Sequence, residues 1–141
     1  MNQSTLLKRL GYRFREPSLL QQGLAHRSWC AEQEGAPSNE RLEFLGDAVI
    51  GMAVAEHCYR SYPDAPEGRL AKIRSAVVNA RVLAHLAEDL GLGQHLLLGK
   101  GEEASGGRTK VSILSDTLEA VVGAVSVSYT HLRAHETGRN L

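Results

Sequence analysis

Apolar residues recur at helical spacing along most of the chain, and no stretch shows the strict alternation of a half-buried strand. Leu6, Leu7 and Leu10 predict a short helix that stops at Gly11, and Pro17 suits the first turn of a second helix over Leu19, Leu20 and Leu24. Periodicity lapses from Ala25 to Glu40, where Gly35, Pro37, Ser38 and Asn39 predict a loop, with Ser38 or Asn39 capping the helix that follows. That helix takes in the stretch NERLEFLGDAVIG, Asn39 to Gly51, and continues through Ala53, Val54, Ala55 and Cys58 to about Tyr59, before Tyr62-Pro63-Asp64-Ala65-Pro66 breaks it. Leu42, Leu45, Val49 and Met52 fill one face and Phe44, Ile50 and Gly51 flank the other, so the helix is apolar nearly all round. It is expected to be the central, most buried element. Leu70, Ile73, Val77, Val78, Leu83, Leu86 and Leu90 predict one long amphipathic helix over Glu67 to Leu90, ended by Gly91-Leu92-Gly93. Gln94 to Lys110, with Gly99, Gly101, Gly106 and Gly107, predicts a loop over the site and the most mobile stretch of the chain. A last helix starts near Val111 or Ser112 and turns Ile113, Leu114, Leu118, Val121, Val122 and Val125 inward. With no longer-period repeat, the fold class is all-α.

Composition narrows this picture. A chain of 141 residues, 43% hydrophobic and 23% charged, is expected to form one domain with a single core. No apolar run approaches about 18 residues and no charged start precedes an apolar core, so neither a membrane span nor a signal peptide is predicted, and the expected compartment is the cytoplasm. Cys30 and Cys58 form no C-x-x-C pair and are expected to be buried and reduced. A net charge of zero excludes a protein whose whole surface attracts nucleic acid, leaving local basic groups at Lys8, Arg9, Arg13 and Arg15, at Arg69, Lys72 and Arg74, and at Lys100, Arg108 and Lys110.

From about Val127 the pattern changes. SVSYTHLRAHETGRNL has no apolar stripe and interrupts a strongly periodic helix, and its His131 and His135 lack the other ligands of a zinc site. VSYTHLRAHET resembles one reading frame of a common sequencing-library adapter. Residues 1–126 are therefore expected to be a domain cut short at its C-terminus, and residues 127–141 a non-native tail.

The chemistry lies in the acids. Glu40, Glu43 and Asp47 fall on one helical face, where like charges at neighbouring turns cost about 0.2 to 0.5 kcal/mol per pair. A solvated acidic face is the plain alternative. The apolar residues beside these acids oppose it, because buried carboxylates need partners. Asp116 and Glu119 share a face of the last helix. If the two helices pack side by side, four carboxylates converge into the oxygen-ligand set that Mg²⁺ prefers and that two-metal phosphoryl chemistry uses. No P-loop, Ser-His-Asp context or Cys/His ligand spacing accompanies them.

NERLEFLGDAVIG resembles the signature stretch of the ribonuclease III family of double-stranded-RNA endonucleases. It is accompanied in order by LAHRS (Leu24 to Ser28), PEGRLAKIRSAVVN (Pro66 to Asn79), LGKGEEASGGR (Leu98 to Arg108) and SILSDTLEAVVGAV (Ser112 to Val125), covering nearly all of residues 5–125. The resemblance implies that Glu43, Asp47, Asp116 and Glu119 bind Mg²⁺, with Mn²⁺ as its substitute, and that Asp47 and Glu119 are catalytic. Glu40 and Glu67 match acids near the scissile strand and the dimer interface, and Glu102 a further acid of the Gly-rich loop. It also implies the family's all-α endonuclease fold and a homodimer whose valley holds duplex RNA. Each protomer would cut one strand to leave 5′-phosphate and 3′-hydroxyl ends with short 3′ overhangs, as in rRNA and mRNA processing. Phe44 and Ile50 are available for a partner surface, Phe44 being equally placed for the core, and His26 braces the loop rather than titrating. A non-catalytic RNA-binding or ribosome-associated relative is the alternative, opposed by the presence of all four acids. Two departures stand out: the aromatic-aliphatic-Asp-Gly turn expected after EAVVGAV is replaced, and the C-terminal double-stranded-RNA-binding domain is absent from this chain, which implies weak, salt-dependent affinity.

Overall fold

The computed structural model describes residues 3–139, with side chains through residue 130. Among these residues the chain forms α1 (Ser4–Leu10), α2 (Pro17–Leu24), α3 (Arg27–Glu32), α4 (Glu40–Ser61), α5 (Glu67–Val77), α6 (Ala80–Leu90), α7 (Lys100–Ala104) and α8 (Val111–Arg139), with 3-10 turns at Leu92–His95 and Gly107–Thr109. The only extended pairing among them is an isolated bridge between Ala25 and Leu97, so the fold is all-α as its periodicity predicts.

The centre is α8, not α4. Ile113, Leu114, Leu118, Ala120, Val121 and Ala124 of α8 are buried, and α2, α4 and α6 all pack on it. In α4 only Leu42, Gly46 and Cys58 are buried, while Phe44 is 82%, Met52 72% and Tyr59 73% exposed. The expectation of a buried α4 fails because an apolar circumference is buried only where neighbours surround it. α4 has α8 on one side and α5 along its second half. The same geometry explains α8. Its segment Val111–Thr130 is, against expectation, long and apolar enough to cross a membrane, and it is the helix that three others cover.

Four further boundaries depart from periodicity. The predicted helix over Glu67–Leu90 is two helices, because Asn79 adopts extended backbone between them, its Oδ1 accepting from Val82 N–H at 3.1 Å and its Nδ2 donating to Ser75 and Ala76 carbonyls. A cap that satisfies orphan groups at both ends outweighs a continuous apolar stripe. The predicted loop at 25–40 contains α3, capped by the His26 ring rather than by one of the usual short side chains. Asn39 holds the position before α4 but turns its side chain away, Nδ2 donating to the Gly23 carbonyl at 3.0 Å, while Ser38 Oγ accepts from Glu40 N–H. The Gly-rich stretch is tied down rather than loose: Arg108 Nη1 donates to the carbonyls of Gly93 and Leu96 at 2.7 and 3.0 Å, and its other nitrogens hold Glu103.

Nor does α8 stop near Val125. It has no proline to end it, runs on to Arg139, and buries Ser128, whose Oγ accepts from Tyr12 Oη at 2.7 Å. His131 and His135 lie outside the residues whose side chains are described. Cys30 and Cys58 are buried and unpaired.

Candidate metal centre

Two glycines let α4 and α8 touch backbone to backbone. A Cβ at Gly46 would overlap the Glu119 carbonyl, and one at Gly123 would overlap the Leu42 carbonyl. Any larger residue at either place would push the helices apart. Glu43 and Asp47 bracket Gly46, and Asp116 and Glu119 occupy the two turns before Gly123, so the crossing point sets the acids of one helix against those of the other.

Of the four acids that the spacing sets on the two helices, three come together. Carboxylate oxygens of Glu43, Asp116 and Glu119 all lie within 4.8 Å of one another. Asp47 is not among these three, but its carboxylate stands near enough to Glu119 to push that residue up. No ion pair among the described residues reaches any of the four. Desolvation by burial, reinforced by the neighbouring carboxylates, pushes Glu43 up to about 7 and Glu119, which is 8% exposed, up to about 8. Burial raises Asp116 as well. Burial and mutual repulsion thus favour protons on these carboxyls. A hard divalent cation with oxygen ligands would replace the protons, and the four residues fit that role.

The remaining predicted acids are placed elsewhere. Glu40 opens α4 at the rim of the cluster, where it adds to the upward push on Glu43 and accepts from Ser38 Oγ at 3.0 Å. Glu67 begins α5 and lines, with Met52, Tyr59, Leu70 and Arg74, a groove of about 530 Å³ along the second half of α4, apart from the acidic cluster. Glu102 is held below its usual value first by the hydrogen bond from Lys110 Nζ at 2.8 Å and then by Ser105, and Glu103 by Arg108. Arg108 and Lys110, grouped by sequence with surface bases, are thus spent inside their own loop. Sequence spacing could not show this, since partners five and eight residues apart across a Gly-rich turn follow no helical rule.

Also unforeseen is how LAHRS meets the Gly-rich loop. Ser28 Oγ accepts from Gly99 N–H at 2.8 Å while lying 2.7 Å from His26 Nδ1, and Glu32 Oε1 accepts from Lys100 N–H at 2.8 Å. His26 braces the loop, as the motif suggests. Burial holds His95 below its usual value, and the charge of Arg9 adds to the effect.

Comparison with known proteins adds a family to this geometry. A family model described as Ribonuclease-III-like matches residues 16–140. Ribonuclease 3 of Streptomyces coelicolor is 58% identical over 122 residues, 86% of this chain and 44% of that protein, and Ribonuclease 3 of Thermobifida fusca is 58% identical over 109 residues, 77% of this chain and 45% of that one. The chain thus spans about half the length of these relatives. The nuclease domain of ribonuclease III from Campylobacter jejuni, in a structure described for flexibility in the region involved in dimer formation, aligns with a TM-score of 0.85 at 41% identity over 90% of this chain and 86% of that one. Dicer from Pichia stipitis aligns with a TM-score of 0.60 at 27% identity, over 82% of this chain and 47% of its own.

Proposed function

The chain belongs to the ribonuclease III family, and we propose that it is the nuclease part of a divalent-metal-dependent, cytoplasmic endoribonuclease that hydrolyses double-stranded RNA. The observation that carries this is the meeting of Glu43, Asp116 and Glu119 within 4.8 Å, with Asp47 one turn on from Glu43 along α4. Glu43, Asp47, Asp116 and Glu119 would hold Mg²⁺, or Mn²⁺ in its place. Bound there, the cation would activate water and stabilise charge on the phosphodiester. The residues' own part is to converge rigidly, through the Gly46–Gly123 crossing, and to give up protons as the cation enters. Asp47 and Glu119 are the two whose loss is expected to be most damaging. The products would carry 5′-phosphate and 3′-hydroxyl ends with short 3′ overhangs, as required for rRNA or mRNA processing.

A second copy is part of the proposal. Phe44 stands on the same helix as the acids with 82% of its surface in water, and Met52 and Tyr59 continue the apolar face. Apolar surface of this kind marks an interaction site, and a homodimer would align two acidic clusters along one duplex. A non-catalytic RNA-binding or ribosome-associated relative would have no use for three converging, mutually repelling acids. Incubation of a duplex RNA with Mg²⁺, then with EDTA, tests the reaction. Glu119→Gln and Asp47→Asn are expected to abolish cleavage with an unchanged circular dichroism spectrum. Robust cutting by either variant removes the cluster from the mechanism.

A further inference from the structure

The chain as a whole is neutral, yet its charge is unevenly placed: no acid precedes Glu16, while Lys8, Arg9, Arg13 and Arg15 all come before it. Several cations elsewhere are engaged at short range, Arg60 by Glu56, Arg108 by Glu103 and Lys110 by Glu102. Arg13 and Arg15 are exposed and enter no ion pair among the described residues. Arg9 differs, since its Nη1 lies against α6, 2.6 Å from where a Cβ on Gly91 would stand. Glu16 itself lines a groove along α2 with Leu19, Gln22 and Trp29.

The segment between α1 and α2 fixes how the two free arginines stand. From Gly11 to Arg15 exposure alternates residue by residue, which is the period of an extended chain. Tyr12 and Phe14 turn inward and meet edge to face with ring centroids 5.1 Å apart; Phe14 is buried, and Tyr12 Oη donates to Ser128 Oγ at 2.7 Å. Arg13 and Arg15 therefore share the outer side, about 7 Å apart along the backbone, a separation comparable with that of successive phosphates on one strand. A guanidinium fork takes phosphate oxygens two at a time. With both of its rings turned inward, the segment offers forks for phosphate and no ring for stacking on a base. That combination suits a duplex, whose phosphates face outward and whose bases are already stacked, better than an unpaired strand. Ser128 lies nine residues beyond Glu119 on α8, about 14 Å along the helix axis, so the Tyr12 anchor stands within one duplex turn, about 34 Å in the B form, of the acidic cluster.

We propose that Arg13 and Arg15 hold the phosphate backbone of duplex RNA outside the acidic cluster, one guanidinium on each of two successive phosphates. The choice of duplex RNA as the polyanion rests on the endoribonuclease reading.

The test follows duplex RNA binding by fluorescence anisotropy between about 50 and 200 mM salt, in Mg²⁺ and in the Glu119→Gln protein so that the strands stay whole. Each phosphate contact adds about 0.7 to 0.9 to the slope of log affinity against log salt. Adding Arg13→Gln and Arg15→Gln is therefore expected to make the slope shallower by about 1.4 to 1.8, with the melting temperature unchanged. Arg13→Lys with Arg15→Lys keeps both charges and is expected to keep most of the slope. An unchanged slope in the glutamine variant, or an equal fall in the lysine variant, overturns the proposal. Loss of binding to vesicles with anionic headgroups, beside an unchanged RNA slope, also overturns it and assigns the pair to a lipid surface. Cleavage of the duplex by protein with Glu119 intact tests the other reading separately. A slope that falls as expected in a protein that cuts nothing keeps the phosphate contact and removes the nuclease, cutting with an unchanged slope does the reverse, and absence of duplex binding overturns both.

Discussion

α4 and α8 look alike in sequence, each a long helix apolar over most of its circumference and each carrying a pair of acids, yet their surroundings are opposite. α8 is covered by α2, α4 and α6, and its apolar residues are core. α4 packs on α8 with Leu42 and Gly46 buried against it, and leaves Phe44, Met52 and Tyr59 in water. Burying a side chain of that size is worth roughly 1.5 to 3 kcal/mol, a gain that α8 has realised within the chain and that α4 has not. The lesson is that apolar content says how much surface a helix must hide, not what hides it. The acidic pairs lie where the two environments meet, which is why Glu119 is nearly buried while Asp47 remains exposed.

The contrast depends first on the contact between the two helices. Gly46→Val forces a branched side chain into the Glu119 backbone, and overpacking of this kind costs about 1 to 3 kcal/mol or more. Urea unfolding should show that loss together with loss of Mn²⁺ binding, whereas a variant of wild-type stability would mean that the helices do not touch there. The exposed side of α4 is tested by Phe44→Glu. Stability of the single chain is expected to stay within about 0.5 kcal/mol, while the proposed dimer should weaken by about 2 kcal/mol or more in sedimentation equilibrium. Unchanged association would transfer the partner surface elsewhere.

A pH series sharpens the comparison at the boundary. Folded Glu43 and Glu119 are raised from 4.5 to about 7 and about 8, so the folded state binds more protons than the unfolded one. Their contribution to stability is full below the ordinary carboxylate range and is lost as pH rises through those values. The metal-free protein is therefore expected to melt at lower temperature at about pH 9 than at about pH 7, and saturating Mn²⁺ should abolish the difference by replacing the protons. His95, lowered by burial, and Glu102 and Glu103, lowered by Lys110 and Arg108, complete most of their titration below that range. A flat melting curve across it would deny the strain among the acids. The smallest effect belongs to a part outside the comparison: Asn79→Ala removes the cap of α6 and should cost about 1 kcal/mol by thermal unfolding, with metal binding unaffected.

How far these features were legible in the chain depends on the range of the interactions behind them. The helical class, the starts of α2 and α8, the end of α6 at Gly91 and the pairing of Glu43 with Asp47 and Asp116 with Glu119 are set by neighbours within about one or two turns, and periodicity exposes them. The break at Asn79 was also local, but its signal, one capping side chain, was masked by the apolar stripe on both sides. α3 was hidden because its cap is a histidine whose ring meets the Ser28 hydroxyl, and that hydroxyl in turn accepts from Gly99, 71 residues beyond Ser28.

By itself the sequence determined which residues could share a helical face, and so which acids could act in pairs, because side-chain direction along a helix repeats every 3.6 residues whatever surrounds it. Only the tertiary structure decided that α8 and not α4 became the core, that Gly46 and Gly123 were the points of closest approach, and that Arg108 and Lys110 were turned inward to their own loop. Those outcomes depend on which surfaces compete for the same space, and that competition is settled between residues distant in the chain, where no local pattern records it.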